Sequence, residues 1–378
     1  MRQEDAARLA TVPAGSGLAG MVELDIPMDD GSVRCFSAWR CRHDLGFERS
    51  IGTVRIEPGL TPADTDREAF AALMQAGSLR LPYGGACGGI DADLRRLSTA
   101  ELGRLARCFV QSFPDMAATG RSAFSGGLAG TLLSGWVDGG GRSLWLGIEG
   151  GTPSRLGREE AIALGAFTQI RRFAGKEGRW ALWGCDQSSL LLARRLCALG
   201  WELTGVSDRR GAVVNAWGLT PSELACGMAN VDGVVSMAGE RGSVSADTPL
   251  DGGVELVVVA GREGPDAAAL GGTGCRMVVE LVPGGISRRT EAELAARGIV
   301  VLPEIVATSG QSLLTHLGWL RRRWRRDWTD GEMKDRLLQR MHAMAEGDEG
   351  PTGRAEATAG ALRFIGAAQA AGRSLLAV

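Results

Sequence analysis

Residues 21–26, MVELDI, alternate apolar and polar side chains with the two-residue period of a half-buried strand. The turn MDDGS follows, and then a second alternating run, VRCFSAWRCR, so the segment predicts a β-hairpin. Residues 63–76 and 98–112 carry the helical period instead, and STAEL, with Ser98 three residues before Glu101, is a capping-box start for the second helix. The first part of the chain therefore reads as mixed α and β.

The texture changes near residue 150. GIEGGTPSR is turn-rich and reads as a domain crossing, and residues 158–174 are helical. A short apolar strand, RWALWG, is followed by CDQSS, the helix LLLARRLCALG and a second strand, WELTGVSD. Strand, tight turn, helix and strand in that order open a dinucleotide-type fold. The apolar runs VDGVVSM, VELVVVAG, CRMVVELV and GIVVLPEI come next, separated by turns or helical stretches, which predicts a mostly parallel sheet. Helix returns after residue 312, and residues 353–372 predict a last, closely packed Ala- and Gly-rich helix.

Composition narrows the classes. A chain of 378 residues with 44% apolar content can bury two or three cores, and a formal charge of −2 gives no overall pull toward nucleic acid or anionic lipid. LTHLGWLRRRWRRDW sets five arginines among three tryptophans, which reads as a helix with a solvated basic face. The eight cysteines form no CxxC pair or metal-like cluster, so no metal site is expected. The N-terminus lacks an apolar signal core, and no apolar run reaches the roughly 18 residues of a membrane helix. These features predict a reduced, cytoplasmic protein with neither nucleic acid nor membrane as partner. Of 42 basic residues only Lys176 and Lys334 are lysines, so none precedes residue 176.

LPYGGACGGI, residues 81–90, sets Cys87 between two glycine pairs, which let backbone approach backbone or ligand closely. With RCRHD before it and WGCDQSS after it, this stretch resembles the glutamate/leucine/phenylalanine/valine dehydrogenase family, its glutamate dehydrogenase branch most of all. IGTVRIEP is similar to the family's K-G-G-[LI]-R-x-x-P, GVSDRRGAVVNAWGL to V-S-D-x-x-G-x-x-x-N-x-x-G-L, and RGIVVLPEIVATSGQSLLTHLGWL to its later strand and helix. The resemblance runs over about residues 21–372. It implies an α/β protein of two domains: a mixed α/β substrate and oligomerisation domain, 1–153 with 330–378, and a Rossmann-like domain, 154–329. The C-terminal helices return to the first. It also implies reversible oxidative deamination of an L-amino acid with NAD or NADP, and a homo-oligomer, hexamer or dimer, or a hetero-oligomer with another protein.

The departures fall on the positions that carry that chemistry. The family's three lysines, two for the substrate carboxylate and one to activate water, stand here as Ile51, Gln75 and Cys87. Arg55 and Arg80 can bind a carboxylate but cannot act as the base, because guanidinium stays protonated. The catalytic aspartate falls near Ser122, with Asp115 in a different segment, and the substrate-side serine is Thr315. His43 is kept. The glycine-rich turn reads Gly184-Cys185-Asp186-Gln187-Ser188-Ser189, and Asp208 ends the second strand where a ribose-binding acid would lie or a turn would be capped. Asp186 puts bulk and charge where pyrophosphate belongs, a repulsion of roughly 4 kcal/mol at about 4 Å, or on the order of a thousandfold in affinity, and so argues against the implied cofactor. Family E-G-A-N-G-P reads 280–285 ELVPGG, with Pro283 for the asparagine, and N-x-G-G reads 308–311 TSGQ. Three readings follow: a catalytically degenerate member kept for regulation, assembly or binding of a small molecule in its cleft; an enzyme of altered chemistry using Cys87; and an active amino-acid dehydrogenase.

Overall fold

The computed structural model describes residues 17–45, 47, 50–113, 156–174, 177–239, 243–245, 248–250, 253–261, 263–324, 326, 328–346 and 353–370. They belong to two compact units. Of these described residues, those within 17–113, 312–328 and 358–370 make the first; those within 156–311 and 329–357 make the second.

The first unit is built on a four-stranded sheet. Its strands are β1 (Leu18–Pro27), β2 (Val33–His43), β3 (Ser50–Ile56) and β4 (Gly84–Ile90), in the order β1-β2-β4-β3. β1 and β2 form the hairpin that MVELDI and VRCFSAWRCR predict, β2 and β4 are antiparallel, and β3 and β4 are parallel. Helix α1 (Pro62–Ser78) starts at a capping box, Thr61 with Asp64, with Pro62 in its first turn. Helix α2 (Thr99–Ser112) starts at the box Ser98–Glu101: Ser98 Oγ accepts from Glu101 N at 3.2 Å, and Glu101 Oε2 accepts from Ser98 N at 2.7 Å.

The two helices cover opposite faces of the sheet. On one, Leu105, Ala106 and Phe109 of α2 pack with Leu24, Ile26, Ala38, Val54 and Ile90. On the other, Ala69 of α1 packs with Trp39, Cys41 and Cys87. The glycines of LPYGGACGGI allow this close approach. A Cβ at Gly85 would lie 1.8 Å from the Ala69 carbonyl oxygen, and one at Gly88 would lie 2.7 Å from the Phe109 ring. The glycine pairs thus bring the strand against helices on both sides.

The second unit holds a seven-stranded sheet. Helix α3 (Arg158–Phe173) leads into β5 (Gly178–Trp183), α4 (Gln187–Leu199), β6 (Trp201–Asp208) and β7 (Gly211–Leu219). Then come α5 (Pro221–Ala229), β8 (Ser243–Ser245), β9 (Leu256–Val259), α6 (Ala267–Leu270), β10 (Met277–Glu280), α7 (Arg288–Ala296) and β11 (Val300–Leu302). The order is β11-β10-β9-β5-β6-β7-β8; the first five are parallel, β7 is antiparallel to β6, and β8 is antiparallel to β7. The central strands are buried end to end, as LVVV of β9 and MVVE of β10 require.

Two sequence expectations change. VDGVVSM is a 3₁₀ turn over Gly233–Met237, because the Asp208 carboxylate takes Val234 N at 2.8 Å and winds the chain at its start. GIVVLPEI splits at Pro303 into β11 and a short helix α8 (Glu304–Ala307). The C-terminal return is also interleaved, where the sequence reading gave all of 330–378 to the first domain. Helix α9 (Gly310–Arg323) joins the first unit from Ser312 on, and α10 (Asp330–Glu346) belongs to the second, its Met341 against Gly165 of α3 and Ser309. Helix α11 (Arg354–Ala370) begins in the second unit and continues in the first, where Ala361 and Ile365 meet Gly77.

Candidate functional site

In the first unit, the face of the sheet toward α1 gathers the positions that the family resemblance assigns to lysines. The β3–β4 register sets Ile51 beside Gly85 and Thr53 beside Cys87; Cys41 of β2 lies opposite Cys87 on the other side. Ile51 and Cys87 are buried, so both side chains are part of the packing. The Cys87 thiol lies 3.5 Å from Thr53 Oγ1 and 3.7 Å from Glu68 Oε2 of α1. Burial, first, and the Glu68 carboxylate, second, push the thiol well above its ordinary range, and Thr53 and Arg55 only partly offset them. Cys87 is thus held as a neutral thiol, the opposite of an activated nucleophile.

Arg55 is fully engaged. Its Nη1 donates to Glu68 Oε1 at 2.6 Å and its Nη2 to Glu57 Oε2 at 2.6 Å. Burial works against its charge, but Glu68 and Glu57 outweigh this and raise its pKa. Two glutamates now surround the one guanidinium beside Cys87, so this corner has no cationic surplus for a substrate carboxylate.

Gln75, buried on α1, accepts from Ser312 Oγ at 2.9 Å. Thr315 is buried one turn further along α9, and His316 Nδ1 lies 2.9 Å from the Tyr83 hydroxyl. Gln75 therefore ties α1 to α9 within the first unit. His43 is tied down as well: Nε2 lies 2.8 Å from Asp66 Oδ1, which also accepts from Gly17 N, and the ring stands edge-on to Phe70. Ser122 and Asp115 lie outside the described residues.

In the second unit, the turn from β5 into α4 holds the other set. Gly184 adopts φ +77° and crosses so close to Gly261 that a Cβ would lie 2.5 Å from its nitrogen. Asp186 is the N-cap of α4. Its Oδ1 accepts from Ser189 N at 2.8 Å, while Ser189 Oγ accepts from Asp186 N at 2.8 Å and donates to Asp186 O at 2.8 Å. Asp208 accepts from Arg210 N through Oδ1 at 2.7 Å and from Val234 N through Oδ2. Thr308 and Ser309 turn their hydroxyls onto carbonyls of α8, at Glu304 and Val306.

One cluster has no signal in the sequence. Arg354, at the start of α11, donates to Glu280, to Glu304 at 2.6 Å and to Glu291 at 3.1 Å. Glu280 is fully buried and also accepts from Ile286 N at 2.7 Å. The partners lie 50 to 74 residues from Arg354, beyond the reach of any local pattern. Among the described residues, no group of three or more His, Cys, Asp or Glu could hold a metal ion, and no helix is long and apolar enough to cross a membrane.

Two family models cover most of the chain. "Glu/Leu/Phe/Val dehydrogenase, dimerisation domain" matches residues 19–122, and "Glutamate/Leucine/Phenylalanine/Valine dehydrogenase" matches residues 151–358. The chain belongs to the glutamate/leucine/phenylalanine/valine dehydrogenase family.

An NADP-specific glutamate dehydrogenase of Synechocystis is 25% identical, over 86% of this chain and 82% of its own. A glutamate dehydrogenase of Aeropyrum pernix is 27% identical, over 85% and 80%. Among solved structures, the hetero-hexameric glutamate dehydrogenase of Thermus thermophilus, in a Leu-bound form, has a TM-score of 0.77 at 25% identity, over 94% of this chain and 89% of that one. The two-unit α/β architecture, with its Rossmann-like sheet, is that of glutamate dehydrogenases.

The family's relatives include NADP-specific and NAD-specific enzymes. A dinucleotide pyrophosphate needs free amides and the positive end of a helix at the glycine-rich turn. In this member of the family the Gly184 amide donates to Ser207, and the Asp186 and Ser189 amides are spent on each other's side chains. The residues present do not fit the group.

Proposed function

We propose that this chain is a glutamate dehydrogenase-like protein that is catalytically degenerate for NAD(P)-dependent oxidative deamination and serves a regulatory, assembly or ligand-binding role. The observation that carries the reading is Cys87, buried beside Glu68 at the position where the family resemblance puts the water-activating lysine. Oxidative deamination needs a group there that sheds a proton near neutral pH. A thiol held neutral by burial and an adjacent carboxylate does not, and Arg55 cannot. Ile51 and Gln75 at the other two lysine positions support the same reading: both are buried, and neither offers a charge to a carboxylate. Thr315 and Ser122 are the remaining positions assigned by resemblance.

The assembly part of the proposal is a homo-oligomer, hexamer or dimer, or a hetero-oligomer with another protein. β1 is an edge strand, and Leu18, Met21 and Val33 of the hairpin are exposed, as an edge that pairs in an oligomer requires. The dimerisation-domain match covers this hairpin, and the Thermus relative, itself described as hetero-hexameric, gives a precedent for mixed assembly. A small molecule at the amino-acid site and a cytoplasmic location complete the reading.

The test is a panel of L-amino acids with NAD and NADP, followed by nicotinamide absorbance. A flat panel is expected; turnover with any amino acid would establish the active-dehydrogenase reading instead. Thiol chemistry at Cys87 is the second alternative, opposed by the burial of the sulfur and its Glu68 neighbour. Restoring the family residues, as Ile51→Lys, Gln75→Lys and Cys87→Lys together with Asp186→Gly, tests whether the scaffold still supports the reaction.

A further inference from the structure

The turn between β5 and α4 carries more than the loss of a glycine. The first amides of a helix point outward unsatisfied, and their partial positive charge is what draws phosphate in dinucleotide folds. Here the Asp186 carboxylate occupies that place, accepting from Ser189 N, and Ser189 Oγ closes the ring by accepting from Asp186 N and donating to Asp186 O. We infer that Asp186 is a built-in substitute for the ligand phosphate, and that it shuts this unit to NAD(H) and NADP(H).

Two further features of the same unit agree. Asp208, where a ribose would be held, has one carboxylate oxygen on Arg210 N and the other on Val234 N, so it supports the β6–β7 turn and the 3₁₀ turn at Gly233. The two aspartates also act on one spot. Burial, then Asp208, then Asp186 push the Cys185 thiol up to about 12. A pyrophosphate entering this turn would meet a negative field, and the Gly184, Asp186 and Ser189 amides are already donated within the protein. The inference concerns the second unit and does not rest on the missing lysines of the first.

The experiment uses the full chain and titrates NADH and NADPH by calorimetry up to millimolar concentration. The wild type is expected to show no saturable binding. Asp186→Gly, which a helix N-cap tolerates, is expected to bind on the order of a thousandfold more tightly than the wild type. Asp186→Asn keeps the cap and the side-chain size but removes the charge, and an intermediate gain is expected. Micromolar binding by the wild type would overturn the inference. So would a lack of any gain in both variants when they melt as the wild type does. If Asp186→Gly fails to fold, Asp186→Asn decides alone. Regained binding with a flat amino-acid panel would leave the proposed function standing, whereas turnover by the wild type would remove that reading first.

Discussion

Arg354 donates to the carboxylate of Glu280, a residue 74 positions away that is fully buried at the end of β10. Glu304 and Glu291 share the same guanidinium, so three carboxylates face one fixed cation in the interior of the second unit. Burial raises the Glu280 carboxyl from 4.5 to about 8, against the pull of Arg354 and with the push of Glu304. Burial thus favours the protonated form of Glu280.

The pH dependence follows from that sign. A carboxyl whose pKa is raised in the folded state binds its proton more tightly there than in the unfolded chain. Its contribution is complete below the ordinary value of 4.5 and is lost as pH rises through about 8. The slope from this group reaches at most about 1.4 kcal/mol per pH unit. Glu280→Gln, which imitates the protonated form, should flatten that fall. Thermal melts of both proteins between pH 5 and 9 check it, and parallel curves would refute it.

Arg354→Ala strands three acidic groups without their cation. Removing one partner of a buried pair costs about 3–5 kcal/mol. Urea unfolding should show a loss of that size, and Arg354→Lys should recover only part of it, since an ammonium cannot reproduce the guanidinium's fan of donors.

Gly85→Ala tests the packing of α1 on the sheet. The new methyl would fall 1.8 Å from the Ala69 carbonyl, a main-chain atom that cannot rotate away. A loss of at least about 1–3 kcal/mol is expected, as for other overpacked cores, read as a lower denaturant midpoint with an unchanged slope.

Alkylation separates the two views of Cys87. Cys226 is exposed and should react in the native protein, whereas Cys87 is buried and neutral and should be modified only after denaturation. Peptide mapping after a timed iodoacetamide pulse reads this directly. If Cys87 were labelled ahead of Cys226, thiol chemistry at the site would return as the better reading.

Much of the fold is legible in the chain because its signals are local. Alternation in MVELDI, the Ser98–Glu101 cap and the strand–turn–helix order around WGCDQSS each act over a few residues and survive as structure. VDGVVSM has a strand's composition, but the Asp208 carboxylate, reaching across 26 positions, recruits Val234 N into a turn. The site divides in the same way. That Ile51, Gln75 and Cys87 stand where the family resemblance puts lysines is visible in the sequence; that Glu68 and Arg55 enclose Cys87, and that Gln75 bonds to Ser312, depends on pairings that only the tertiary fold creates.

The chain passes from one unit to the other four times, between residues 113 and 156 and at residues 311, 328 and 357. Neither unit is an uninterrupted stretch of gene, so no stop codon or deletion of one end removes either of them cleanly. A gene fragment meant to encode one unit alone would have to join three separate stretches for the first or two for the second.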